Sequence, residues 1–313
     1  AGSIDCIDLS STRVSQRRVF QWCMAHMPQI RELIIVGNAR IIVQELIELL
    51  GGLSQHLTTL KVLLTSFDYD KLVKALVTGD KDNDGTFLLP QLRSLSLLTS
   101  EFIPDGAFFS HLEPILRHQL EYLYLSYSSV PFTGNRAYNK LSKFLAAVNH
   151  NPKFRGFGLD GCNNLLAFRK CLEKAACGKV PFPLTRISMV NPDLTQLRKL
   201  CDKSPTINYL RVHLGLSHSV HGHCLISNMA TINWNEKFSF KLLYWAITPL
   251  KDNLRHLKVS YSGPFLEQKV DNKLGHYEEL PKFHSVKTVL FMADSKRTMA
   301  CATIDQLTSR KTE

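Results

Sequence analysis

Three short stretches carry residues whose types and spacing could do chemistry. In GDKDNDG (79–85), Asp80, Asp82 and Asp84 stand at positions 1, 3 and 5 of a calcium-loop pattern, with Gly85 at the sharp-turn position. Such a loop also needs a bidentate glutamate at position 12 and a helix on each side. Position 12 is Gln91, and Pro90 precedes it, so the stretch reads as a polar turn. RGFGLDG (155–161) puts Gly156, Gly158 and Gly161 in GxGxxG spacing. A dinucleotide fingerprint opens a helix after a strand, whereas these glycines fall inside a strand-like pattern. HLGLSHSVHGHC (213–224) gathers His213, His218, His221, His223 and Cys224 at a spacing that fits no standard zinc site. No P-loop, GxSxG, HExxH or suggestively placed carboxylate pair is present. No catalytic residue, metal ligand or cofactor is therefore assigned, and the chain is expected to be a non-catalytic protein.

The elements that would position any site emerge from self-similarity. The pattern φxxφxφ, with φ apolar, occurs ten times in order. It reads IDCIDL (4–9), IRELII (30–35), LTTLKV (57–62), LRSLSL (92–97) and LEYLYL (120–125). It continues as FRGFGL (154–159), LTRISM (184–189), INYLRV (207–212), LRHLKV (254–259) and VKTVLF (286–291). The ninth positions of the first six units are Thr12, Asn38, Thr65, Ser100, Ser128 and Cys162, all able to hydrogen-bond backbone groups of a neighbouring turn. Between the strands lie apolar residues at helical spacing: Val19, Cys23, Met27 and Ile30; Leu141, Phe144, Leu145 and Val148; Leu165, Phe168 and Leu172. One strand–helix unit cannot bury its own apolar face, so the units are expected to stack.

On these repeats the chain resembles the leucine-rich-repeat family over essentially its whole length. The irregular spacing and helical linkers are similar to the intracellular type, the ribonuclease-inhibitor and F-box/leucine-rich-repeat groups. The resemblance implies an α/β horseshoe solenoid, residues 1–313 forming one domain of about ten repeats, with a parallel sheet on the concave side and helices on the convex side. The gap between units eight and nine is the longest; residues 214–236 are a candidate contact loop, and the 214–253 region has room for an extra, degenerate repeat.

In that register the first, fourth and sixth residues of each unit are core. The third, fifth and seventh face the concave side. The candidate partner-binding residues follow: Tyr122 and Tyr124 from unit five, Gly156 and Gly158 from unit six, and Arg186 from unit seven. Unit eight adds Tyr209, Arg211 and His213, and unit nine adds His256 and Lys258. Tyrosine and arginine are enriched at interface hot spots, and arginine presents a planar fork to carboxylate or phosphate. The two glycines are expected to leave a bare saddle of backbone for a bulky partner group.

Charge agrees with a site in the second half. Residues 1–150 hold 14 basic and 14 acidic side chains, residues 151–313 hold 24 and 13, so the net +11 lies entirely in the second stretch. An excess of this kind points to an acidic or phosphorylated partner. Eight cysteines without CxxC or framework spacing, and no Asn-x-Ser/Thr site, favour a reducing compartment, cytoplasm or nucleus. No apolar run reaches the ~20 residues of a membrane helix, and no membrane partner is expected. No capping unit precedes Ile4, so an N-terminal truncation is expected, with Ala1–Ser3 foreign to the natural chain. The F-box resemblance implies a short F-box before the repeats, a cullin-ligase adaptor bound through it, and a protein substrate held by the repeats for ubiquitination. RNA binding of the mRNA-export adaptor type, or an enzyme inhibitor or scaffold, are the alternative readings.

Overall fold

Alternating apolar residues make each φxxφxφ segment a strand with one buried face. In the computed structural model, ten strands fall within or overlap these ten segments. The structure describes residues 6–8, 18, 21–22, 25–26, 29–37, 41–64, 67–77, 87–99, 106–127, 135–162, 164–177, 181–190, 192–215, 240–262 and 288–293. The strands are β1 (Cys6–Asp8), β2 (Glu32–Gly37), β3 (Thr59–Leu64), β4 (Ser94–Thr99) and β5 (Tyr122–Tyr127). They continue with β6 (Gly156–Cys162), β7 (Leu184–Val190), β8 (Tyr209–Gly215), β9 (His256–Ser262) and β10 (Thr288–Ala293). All ten form one sheet in sequence order, and every neighbouring pair is parallel.

α-Helices run between the strands: α1 (Val43–Gly52), α2 (Tyr69–Leu76), α3 (Gly106–His118), α4 (Asn135–Leu145), α5 (Leu165–Ala175), α6 (Leu194–Lys203) and α7 (Phe240–Ile247). Three start on the same device: Asp68, Asn164 and Asp193 each accept a hydrogen bond from the backbone N–H three residues on, at 2.9–3.0 Å. Successive helices lie against one another, so the fold is solenoid-like, an all-parallel sheet alternating with helices.

The core is a single continuous cluster. Leu57, Leu60 and Val62 of unit three are wholly buried, and so are the matching residues of unit eight, Ile207, Leu210 and Val212. Among the equivalent residues described in units two to nine, Phe154 alone is half-buried. Helix residues such as Leu46, Leu72, Leu112, Leu141 and Phe168 close the cluster from the helical side. Burying each such side chain is worth about 1.5–3 kcal/mol. Because strand residues alternate, the positions between these core residues face the opposite, open side of the sheet.

Buried polar groups hold the turns. The Asn151 carboxamide donates to the carbonyls of Leu116 and Leu120, both at 2.7 Å, and accepts from the Lys153 N–H at 3.0 Å. The Tyr69 hydroxyl accepts from the Leu64 N–H at 2.7 Å and lies 2.9 Å from the Leu64 carbonyl. Of the six ninth-position residues read as a ladder, only Cys162 lies among the described residues. Its sulfur meets the Tyr138 hydroxyl at 3.4 Å, and burial pushes its thiol up to about 12.

The sheet has two blocks. From β2 to β6, third positions pair with third positions: Glu32, Thr59, Ser94, Tyr122 and Gly156 form one row. From β7 to β10 the row is Arg186, Tyr209, His256 and Thr288. At the join the register slips by one pleat, because Gly158, a fifth position, pairs with Arg186, a third position. Irregularities on both strands make the slip: β7 has an extra residue at Thr185, and β6 spreads over Asp160 and Gly161 before Cys162 meets Met189. Gly161 has φ 83°, the left-handed backbone that such a bulge requires and glycine adopts freely.

β8 and β9 pair directly over seven residues, Tyr209 with His256 through Gly215 with Ser262. No strand of an extra repeat is therefore inserted between them. The aspartate-rich turn (Asp80, Asp82, Asp84, Gly85), the histidines 218, 221 and 223, Cys224, and residues 216–236 of the candidate contact loop lie outside the described residues.

Candidate functional site

The slipped register assembles the candidate site. Following paired residues across the sheet gives one row: Lys61, Ser96, Tyr124, Gly158, Arg186, Tyr209 and His256. Two residues further along the strands, Ser188, Arg211 and Lys258 form a second row, and His213 follows beside Val190. The eight candidate side chains thus stand on the open face of β5 and β7–β9, with Gly156 and Gly158 on β6 between them.

The first row is a stack. The Arg186 guanidinium carbon lies 4.4 Å from the Tyr124 ring centre and 4.0 Å from that of Tyr209. The Tyr209 ring is followed by His256 at 6.2 Å between centroids. Tyr124 and Arg186 sit two strands apart, roughly 10 Å by the usual strand spacing. They meet only because Gly158 lies between them.

This corrects the expected bare saddle. A Cβ built on Gly158 would stand 2.7 Å from Tyr124 Cδ2 and 3.0 Å from Arg186 Cβ. One on Gly156 would stand 2.8 Å from Thr185 Oγ1 and 2.9 Å from Tyr122 Cδ1. Both glycines are buried. The space they free is filled from within, because long flat side chains of neighbouring strands fold over exposed backbone. Gly156 and Gly158 shape the site chiefly by admitting these neighbouring side chains. The same crowding fits their GxGxxG spacing to strand packing.

Tyr124 is fixed at its far end as well. Its hydroxyl donates to Asp160 Oδ2 at 3.0 Å, and Ser126 Oγ lies 3.4 Å from the same oxygen. Burial, then the Asp160 carboxylate, push the Tyr124 hydroxyl well above its usual range, so it stays a neutral donor.

Among the described residues no carboxylate lies within ion-pair distance of Arg186, Arg211 or Lys258. Arg211 and Lys258 stand directly opposite each other on adjacent strands, an arrangement of like charge that is unfavourable by itself. The Nε atoms of Arg186 and Arg211 are buried without a hydrogen-bond partner. Two open cavities lie over the first row. One of about 480 Å³ is lined by Tyr122, Thr185, Arg186, Asn208, Tyr209 and His256. The other, about 230 Å³, lies over Lys61, Ser94, Ser96, Tyr124 and the two glycines, and shares Tyr122, Thr185 and Arg186 with the first.

Sequence reasoning missed Thr185, Asn208 and Asp160 as members of the site. Thr185 and Asn208 occupy second positions, assigned to neither face, and Thr185 enters through the bulge. Among the described residues no three His, Cys, Asp or Glu side chains gather as metal ligands. No helix among them is long and apolar enough to cross a membrane. No protein-family model matches the chain, and no curated protein matches it.

Proposed function

We propose that the chain is a leucine-rich-repeat horseshoe whose open, concave face holds an acidic or phosphorylated segment of a protein partner. Its strand-by-strand agreement with the φxxφxφ repeat supports the horseshoe. The observation that carries the binding reading is the opposed Arg211–Lys258 pair, which has no carboxylate within ion-pair distance among the described residues, beside Arg186, whose Nε is buried without a hydrogen-bond partner. Keeping two cations opposite one another is unfavourable until an anion joins them, so the face is poised for one. By resemblance to the F-box/leucine-rich-repeat group, the partner is a substrate presented to an SCF-type ubiquitin ligase, whose adaptor binds an F-box outside this chain. The reading is that of a substrate receptor without catalysis of its own.

Affinity capture from cell extract, with the wild type and an R211E/K258E variant matched by circular dichroism, tests this. Proteins held by the wild type and released by the variant are the expected result. An identical captured set would overturn the assignment of the face.

RNA binding is favoured by a different observation. Arg31, Arg93, Arg155 and Arg255 are exposed at second positions along one rim of the sheet. Two of them are engaged, however: Glu121 pairs with Arg93 at 3.6 Å and Arg155 at 3.5 Å. A salt titration of RNA binding separates the readings, since phosphate contacts give a steep dependence on salt.

A further inference from the structure

The two cavities share Tyr122, Thr185 and Arg186, and so form one groove running across the strands from Lys61 on β3 to His256 on β9. Six strand spacings make this about 29 Å. The groove is shallow and open to solvent, and an extended chain can lie along it with one edge on the sheet. At about 3.3 Å per residue its length corresponds to roughly nine residues.

The lining also gives the charge of the occupant. Among the described residues no carboxylate lines either cavity. Lys61 and Arg186 stand in the groove four strands apart, about 19 Å, and His256 lies two strands, about 10 Å, beyond Arg186. Both faces of the Arg186 guanidinium are covered by tyrosine rings, so only its edge is left, and the edge is the part that matches a carboxylate fork. The cations come singly here, unlike the Arg211–Lys258 pair, which lines neither cavity. Single, widely spaced cations match single carboxylates along a peptide. The Tyr124 and Tyr209 rings each lie against the Arg186 guanidinium, so one face of either is already taken and less ring surface is left on which nucleobases would stack.

We infer that this groove binds an extended acidic peptide laid across the strands, with one carboxylate on the edge of Arg186 and a second about six residues away at Lys61. The inference rests on the proposed reading of the open face and adds the form, direction and acid spacing of the occupant.

The test uses fluorescent twelve-residue peptides of glycine, serine and alanine carrying two glutamates one to eight positions apart, followed by fluorescence anisotropy. The tightest binding is expected at a separation of about six. Lys61→Glu should erase that preference, and Ser96→Trp, which fills the smaller cavity, should weaken binding at least tenfold. Lys61→Glu lies on the surface, so it keeps the test informative where Ser96→Trp impairs folding. Binding that ignores glutamate spacing, or an unchanged affinity in Lys61→Glu, overturns the inference. An oligouridine of equal charge binding as tightly as the best peptide also overturns it. Should protein capture still depend on Arg211 and Lys258 while the peptides show no spacing preference, the groove assignment falls and the partner-binding reading stands.

Discussion

Strands β2–β6 and strands β7–β9 are built on the same core pattern but present different open faces. Unit three buries Leu57, Leu60 and Val62 and shows Thr59, Lys61 and Leu63. Unit eight buries Ile207, Leu210 and Val212 and shows Tyr209, Arg211 and His213. The stacking of units constrains the first set in both blocks, and only the second is free to vary. Function in such a molecule is to be sought in the residues that the repeat leaves unspecified. The difference is sharpest at the join, where the slipped register brings Tyr124 of the first block onto Arg186 of the second.

The largest effect should come from the join itself. Phe157 is wholly buried, pairs with Leu184 across the slip, and packs edge-on against Phe182 at 5.9 Å. Phe157→Ala should cost about 3–5 kcal/mol, read as a lowered midpoint in urea denaturation. A loss no greater than that of a surface substitution would mean that the two blocks are not packed as one core.

A smaller change attacks the ladder alone. Gly158→Val places methyl groups where Tyr124 and Arg186 already crowd, so it should cost about 1–3 kcal/mol and part the two side chains. Acidic-peptide binding should fall with it, while the same substitution at a solvent-exposed glycine such as Gly52 leaves binding intact. Retained binding in Gly158→Val would separate the ladder from recognition.

The smallest effect belongs to the rim. Arg93 and Arg155 are 62% and 69% exposed, and their ion pairs with Glu121 span 3.6 and 3.5 Å. Glu121→Gln should shift stability by no more than about 1 kcal/mol. It should also leave two rim arginines free, so a gain in RNA affinity at low salt would favour the nucleic-acid reading over the peptide one.

The strands were legible because their pattern recurs: ten weak matches in order outweigh the ambiguity of each one. The core positions followed directly, since a period of two fixes which face each residue takes. The individual candidate residues were legible for the same reason. Their mutual arrangement was not. It depends on Thr185 bulging from β7 and on Asp160 and Gly161 spreading β6, and both segments obey φxxφxφ as well as their regular neighbours do. The Asp-Gly pair at 160–161 was the available hint, being a sequence that tolerates left-handed backbone. Gly158 was noticed for what it lacks, while its effect depends on what its neighbours on both sides possess. Asn151 escaped notice altogether, although its place before Pro152 marked a turn with a carboxamide to spare.

Each strand bonds only to its neighbours in sequence, and that order runs unbroken from β1 to β10. A chain so arranged has no distant segments to bring together, so loop-closure entropy hardly delays its folding. Its cooperativity is that of a line rather than a ball: stability passes from unit to unit through the interfaces between them. Along a line, the weakest interface decides where the molecule comes apart. The irregular pairing of β6 with β7 is spanned by the contact of Tyr124 with Arg186, so the side chains proposed to hold a partner also tie the two blocks of the line together.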